Sequence, residues 1–158
     1  MKALFVGLGS IGQRHLRNLK KIRPDIDIMA VRSQRVAPVL SDSNQVINDV
    51  TIQDYYGLLE FDSLDEALSC KPDIVFVTNP SSMHIDVAKK ALESDAFVFI
   101  EKPISNNTHS LNELKKLVQT NKLVFEVGCQ LRSHPNLKIL SKLLSQNDYG
   151  PLYTYRAV

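Results

Sequence analysis

Short apolar runs alternate with segments of helical period along most of the chain. Lys2–Val6 reads as a first strand, and Asp25–Val31 as a second. Between them Ile11, Leu16, Leu19 and Ile22 recur near helical spacing, with Gln13, Arg14, Arg17 and Lys20 on the water side and Pro24 at the exit. Over residues 33–54, Pro38, Asn44, Asn48 and Asp49 interrupt any period, which predicts a loop with one short helix. Tyr55–Phe61 reads as a third strand, and Ser63 with Glu66 forms a capping box that opens a short helix. Asp73–Thr78 is a continuous apolar run, as in a strand buried on both faces. A helix over Met83–Ser94, a strand at Ala96–Ile100, a helix over Thr108–Thr120 and a strand at Lys122–Val127 complete the series. Strands alternating with helices predict an α/β fold: a doubly wound, mostly parallel six-stranded sheet with helices on both faces. The repeat then ends. Pro135–Ser145 reads as a helix, Gly150-Pro151 as a stop, and Leu152–Val158 alternates like one more strand.

Composition narrows the function classes. The chain has 158 residues, 44% of them hydrophobic, and a net charge of +2 from 19 basic and 17 acidic side chains. That balance lacks the basic footprint of a nucleic-acid binder. Cys70 and Cys129 fit no metal-ligand spacing and read as buried thiols in a reducing compartment, so no metal is expected. The first strand begins at Lys2, without a signal-peptide pattern, and no apolar stretch is as long as a membrane span. The expected location is the cytoplasm, with no membrane partner.

Half of the six glycines fall in Gly7-Leu8-Gly9-Ser10-Ile11-Gly12, directly behind the first strand and ahead of the first helix. In that context each glycine has a use. Gly7 allows a tight turn, Gly9 lets backbone approach a pyrophosphate, and Gly12 lets helix and strand pack closely, as in a Rossmann dinucleotide fold. The helix N-terminus then faces the phosphates with free N–H groups and a positive dipole end. A glycine-rich β–α turn without a ligand is the plainer alternative.

About twenty positions past the glycines, an acidic residue would accept the ribose hydroxyls of NAD. Here Arg32 stands there, followed by Ser33 and Arg35. Guanidinium groups and a hydroxyl suit a 2′-phosphate, so NADP is expected over NAD. A solvated basic loop is the alternative, above all for Arg35. Three more segments follow strand ends, where ligands of open α/β sheets bind. They are Thr78-Asn79-Pro80 with His84, Glu101-Lys102-Pro103, and Gln130-Leu131-Arg132. Lys102 is the candidate for chemistry, because an ammonium beside a nicotinamide can polarise a substrate oxygen. A cis Lys102-Pro103 bond would aim it inward.

The glycine run through Gln13-Arg14-His15, Thr78-Asn79-Pro80 with His84, Glu101-Lys102-Pro103, and Arg132 with Pro135 together resemble the Gfo/Idh/MocA oxidoreductases. The resemblance covers essentially the whole chain and favours that family over other Rossmann reductases, such as homoserine-dehydrogenase-like or biliverdin-reductase-like enzymes. It implies an NAD(P)-binding domain over residues 1–130, with Lys102 in the active site. It also implies that residues 131–158 are a connecting helix and the first strand of a truncated substrate and oligomerisation domain of α+β type. Implied substrates are sugars, cyclitols, sugar acids or nucleotide sugars, oxidised or reduced at a carbon bearing a hydroxyl. The further catalytic residues of that second domain are absent from this chain, so incomplete catalysis is expected. A non-catalytic dinucleotide-binding or redox-sensing module is the competing reading. An unpaired edge at 152–158 speaks against that module, and could pair with a copy of itself to give a homo-oligomer.

Overall fold

In a computed structural model of the chain, residues 1–33, 37–108, 110–121, 124–146, 150–154 and 156 are described. They divide into two compact units, Met1–Gly128 and Cys129–Val158.

In the first unit, β1 (Lys2–Val6) leads through the glycine run into α1 (Ser10–Ile22) and β2 (Asp27–Val31). A short antiparallel hairpin follows, β3 (Val39–Leu40) with β4 (Val46–Ile47), then α2 (Ile52–Tyr56), β5 (Leu59–Phe61) and α3 (Leu64–Ser69). The second half comprises β6 (Ile74–Val77), α4 (His84–Glu93), β7 (Phe97–Ile100), α5 (Leu111–Asn121) and β8 (Phe125–Val127). Six strands form one sheet in the order β5-β2-β1-β6-β7-β8, and every neighbouring pair is parallel.

Both faces of the sheet are buried, which accounts for the continuous apolar runs. On β1, Leu4 and Val6 join one cluster with Val75, Val77, Ile85, Leu92 and Leu114. Ala3 and Phe5 join the other, with Leu16, Ile28, Ala30, Ile52 and Tyr56. The register Phe5↔Phe76↔Phe99 lines an aromatic row across three strands. Phe5 and Phe76 stack at 4.5 Å, and Phe76 meets Phe99 at 5.4 Å.

Several elements differ from the sequence reading. The strand expected over Tyr55–Phe61 is instead the last turn of α2, a turn, and β5. Thr51 caps α2 through Oγ1, which accepts from Asp54 N–H at 3.0 Å, and Gly57 ends it at φ 59°. The interrupted stretch 33–54 contains the β3/β4 hairpin as well as a helix. On α1 only Leu16 of the expected apolar stripe is fully buried. Ile11 and Ile22 are exposed, and Gln13, assigned to the water side, is 1% exposed. The close approach of α1 at Gly12 carries the next residue under the loop.

The second unit holds a 3-10 turn, Gln130–Ser133, and α6 (Pro135–Gln146). Every described residue from Cys129 onward is exposed. No strand occurs at residues 150–154 or 156, contrary to the expected Leu152–Val158; positions 155, 157 and 158 lie outside the described residues. Both cysteines are free, but Cys129 is exposed and Cys70 half-buried, so neither is the fully buried thiol expected. No helix among the described residues is long and apolar enough to cross a membrane.

Candidate functional site

β1 and β6 are adjacent, and the chain leaves them toward opposite edges of the sheet. The carboxyl ends of these two strands therefore form the switch-point crevice of the fold. Gly7-Leu8-Gly9 follows β1, Thr78-Asn79-Pro80 follows β6, and Glu101-Lys102-Pro103 follows the next strand, β7.

The glycine loop is held from behind. Gly7 N–H donates to Val31 O at 2.9 Å, and Gly7 itself has φ +93°. A Cβ there would lie 2.7 Å from Asn79 N. A Cβ on Gly12 would lie 2.4 Å from Gly7 O and 2.9 Å from Thr78 Oγ1. Gly9 is the opposite case: nothing lies within 4 Å of where its Cβ would be. Two glycines are required by packing, and the third faces open space. Gly9 also caps α1, which has no side-chain cap and no acid in its first turn. The N-terminal N–H groups there are oriented for an anion. Ser10 and Ile11 are exposed beside it, and Leu8 is buried beneath.

Thr78, one of the expected cofactor contacts, braces the loop: its hydroxyl donates to Gly7 O at 2.6 Å. Asn79 follows it, and both polar atoms of its side chain are buried without a hydrogen-bond partner among the described residues. Such orphaned groups are rare in folded proteins, where buried polar atoms find a protein, water or ligand partner. Pro80 is exposed and opens the 3-10 turn Ser81–Met83. His84 is 2% exposed, with Nδ1 2.9 Å from Pro103 O and Nε2 2.8 Å from Asn79 O. It ties the loop after β6 to the loop after β7, and both of its nitrogens are occupied in doing so.

Glu101 is also internal. One carboxylate oxygen meets His15 Nε2 at 2.7 Å, and the other accepts from Lys102 N–H at 3.0 Å. His15 lies 5.0 Å from the Phe99 ring, at the end of the aromatic row. A Cβ on Gly128 would lie 3.0 Å from Glu101 Oε1, so the end of β8 closes on the same carboxylate. Lys102 is exposed, its backbone held by Glu101, and the Lys102-Pro103 peptide is cis. Arg132 belongs to the second unit, on the Gln130–Ser133 turn, and is exposed.

Beyond β2, Arg32 is not free for a phosphate. Its guanidinium binds Glu60 of β5 through Nε at 3.1 Å and Nη2 at 2.8 Å. Both side chains are largely buried, and Arg32 Nη1 has no partner among the described residues. Ser33 is exposed beside it, and Arg35 lies outside the described residues. Among the described residues, no group of three or more His, Cys, Asp or Glu side chains could hold a metal.

Sequence reasoning missed three internal side chains. Gln13 Nε2 donates to Leu8 O at 3.1 Å and Pro38 O at 2.9 Å, while its Oε1 accepts from Leu40 N–H at 2.8 Å and from Tyr56 O–H at 3.3 Å. Burial pushes the Tyr56 phenol above its usual pKa, against the pull of the Arg17 guanidinium. His15 and Glu60 pair with partners 86 and 28 positions away. Only the sheet order brings those partners together.

Comparison with known proteins agrees with this geometry. A family model for the Gfo/Idh/MocA oxidoreductases, described as an oxidoreductase family with an NAD-binding Rossmann fold, matches residues 1–129. The chain is 26% identical over 148 residues to the uncharacterized oxidoreductase YrbE of Bacillus subtilis, covering 92% of this chain and 40% of that protein. It is 26% identical over 140 residues to UDP-N-acetylglucosamine 3-dehydrogenase of Acidithiobacillus ferrooxidans, covering 89% of this chain and 40% of the relative. The fold matches the WlbA dehydrogenase of Chromobacterium violaceum, solved with NADH and UDP-GlcNAcA, at a TM-score of 0.79 and 22% identity, over 97% of this chain and 42% of that one. The chain thus spans 40% of the length of either curated relative. With a glycine loop braced at the switch point of the β5-β2-β1-β6-β7-β8 sheet and a family match over residues 1–129, this chain belongs to the Gfo/Idh/MocA oxidoreductase family and carries its NAD-binding Rossmann fold.

Proposed function

We propose that the chain is the cofactor-holding part of a cytoplasmic NAD(P)-linked oxidoreductase that acts on a sugar, cyclitol or nucleotide sugar at a carbon bearing a hydroxyl or keto group. The observation that carries this reading is the open approach at Gly9, set between packed glycines, in a loop whose Gly7 packs against the backbone of Asn79, the residue with the orphaned amide. A dinucleotide fits these residues. Backbone N–H groups at the start of α1 would take the phosphates, and the Asn79 amide would find its partners in the crevice. The bound nicotinamide supplies a hydride acceptor or donor. Lys102 would polarise the reacting oxygen and move its proton. Glu101, held by His15, would fix the backbone at Lys102, and His84 would keep the two crevice loops together. The relatives' names support the substrate class: one is a UDP-N-acetylglucosamine 3-dehydrogenase, another an inositol 2-dehydrogenase/D-chiro-inositol 3-dehydrogenase.

The finer choice of cofactor turns on Arg32. NADP was expected from Arg32, Ser33 and Arg35, but Arg32 is committed to Glu60, which leaves the Ser33 hydroxyl as the remaining support among the described residues. NAD is the reading the ion pair supports. The competing module reading also changes weight, since the strand expected at 152–158 is not found among residues 152–154 and 156. The enzyme reading now rests on the family and on Lys102.

Titration of the protein with NADH, followed by cofactor fluorescence, tests the binding claim. Saturable binding is expected, and absence of binding by both NADH and NADPH overturns it. In the enzyme turning over its sugar-type substrate, Lys102→Ala is expected to lower kcat by about a hundredfold or more, with cofactor affinity little changed. Unaltered turnover would remove Lys102 from the chemistry.

A further inference from the structure

We infer that Glu60 is the residue that sets the cofactor preference of this chain, by holding the Arg32 guanidinium in a buried ion pair; this rests on the dinucleotide reading above. Arg32 directly follows β2, at the strand end that faces the adenosine ribose in dinucleotide folds. In the NAD-binding pattern a carboxylate stands there. Here the carboxylate comes from the neighbouring strand. Glu60 is the register partner of Ala30, and Arg32 lies two residues further along β2's path, on the same face. The two contacts, at 3.1 and 2.8 Å, set one edge of the guanidinium against both carboxylate oxygens.

Burial makes the pairing consequential. The Arg32 and Glu60 side chains are 6% and 12% exposed, so their mutual attraction is little screened by water or salt. A phosphate brought to Arg32 would stand beside the Glu60 carboxylate, where like charges oppose it. An arginine in the position usual for NADP recognition is thereby held by a carboxylate of the neighbouring strand.

Dissociation constants for NADH and NADPH, measured side by side on the protein and its variants, test the inference. The unaltered protein is expected to bind NADH more tightly. Glu60→Gln keeps the shape and removes the charge, so the ratio of the two constants should move toward NADPH by at least about tenfold, through tighter NADPH binding. The double variant Arg32→Gln with Glu60→Gln should lose that gain, because the gain acts through Arg32. Arg32→Gln alone leaves the carboxylate unneutralised and should move the ratio further toward NADH, by about threefold or more. That single variant carries the test if Glu60→Gln melts below the assay temperature. A ratio unmoved in both single variants, or tighter NADPH binding by the unaltered protein, overturns the role of Glu60 while leaving the dinucleotide reading intact. Failure of both nucleotides to bind the unaltered protein overturns the dinucleotide reading, and this inference with it.

Discussion

At the scale of single residues, the three glycines of one motif separate into two kinds. Gly12 is required by the fold, since a Cβ there would meet a backbone oxygen at 2.4 Å that cannot move without opening the loop. Gly9 has backbone angles of φ −68° and ψ −169°, which any residue adopts, and empty space where its Cβ would stand. Sequence alone assigns Gly9 to the approach of a pyrophosphate and Gly12 to close packing of helix and strand, and the structure predicts different consequences for the two. Gly9→Ala should leave the melting temperature within about 2 °C of the parent and weaken NADH binding by about tenfold or more, because the methyl fills the approach to the phosphates. Gly12→Ala should lower both. A normal NADH affinity in folded Gly9→Ala protein would show that the open side of the loop is not where the phosphates lie.

At the scale of elements, strand and helix identity follow from period, but what a helix buries near a functional loop does not. The helical period places Gln13 with Arg14, Arg17 and Lys20 on the wet side of α1, yet its amide is the internal fastener of the loop, the β3/β4 hairpin and α2. Gln13→Ala leaves the Leu8 and Pro38 carbonyls and the Leu40 N–H without that partner, a cost of about 2–3 kcal/mol. In a chain of this size that is a fall of roughly 5–10 °C in melting temperature. A shift under about 2 °C would mean that water replaces the amide without loss. The same limit explains what was legible. β1 was readable to the residue because both of its faces are apolar, and β6 nearly so. The Tyr55–Phe61 stretch was misread because Tyr55 and Tyr56 look like strand residues until Thr51 and Gly57 are seen as caps. In the candidate site, residue types at the strand ends were visible. Which of them face inward, as Thr78, His84 and Glu101 do, depends on pairings across the sheet that no local pattern encodes.

At the scale of the molecule, the chain is two units of different character. Residues 1–128 contain the whole sheet and both apolar clusters, and Gly128 N–H still donates to Ile100 O at 2.8 Å at the unit's edge. Residues 129–158 contribute nothing buried among those described, and α6 exposes Ile139 at 59% and Leu144 at 46%. Such a helix covers no core of its own. The first unit, which holds the sheet and both apolar clusters, should therefore fold by itself. A chain ending at Gly128 should melt cooperatively within about 4 °C of the parent. It should also stay monomeric at concentrations where the parent, with its exposed leucines, begins to associate. Of the proposed cofactor contacts only Arg132 is removed, so NADH affinity should fall by less than about tenfold. Thermal melting and NADH titration of the shortened chain decide the matter: a loss of cooperative melting would show that the cofactor-holding unit depends on the segment that follows it.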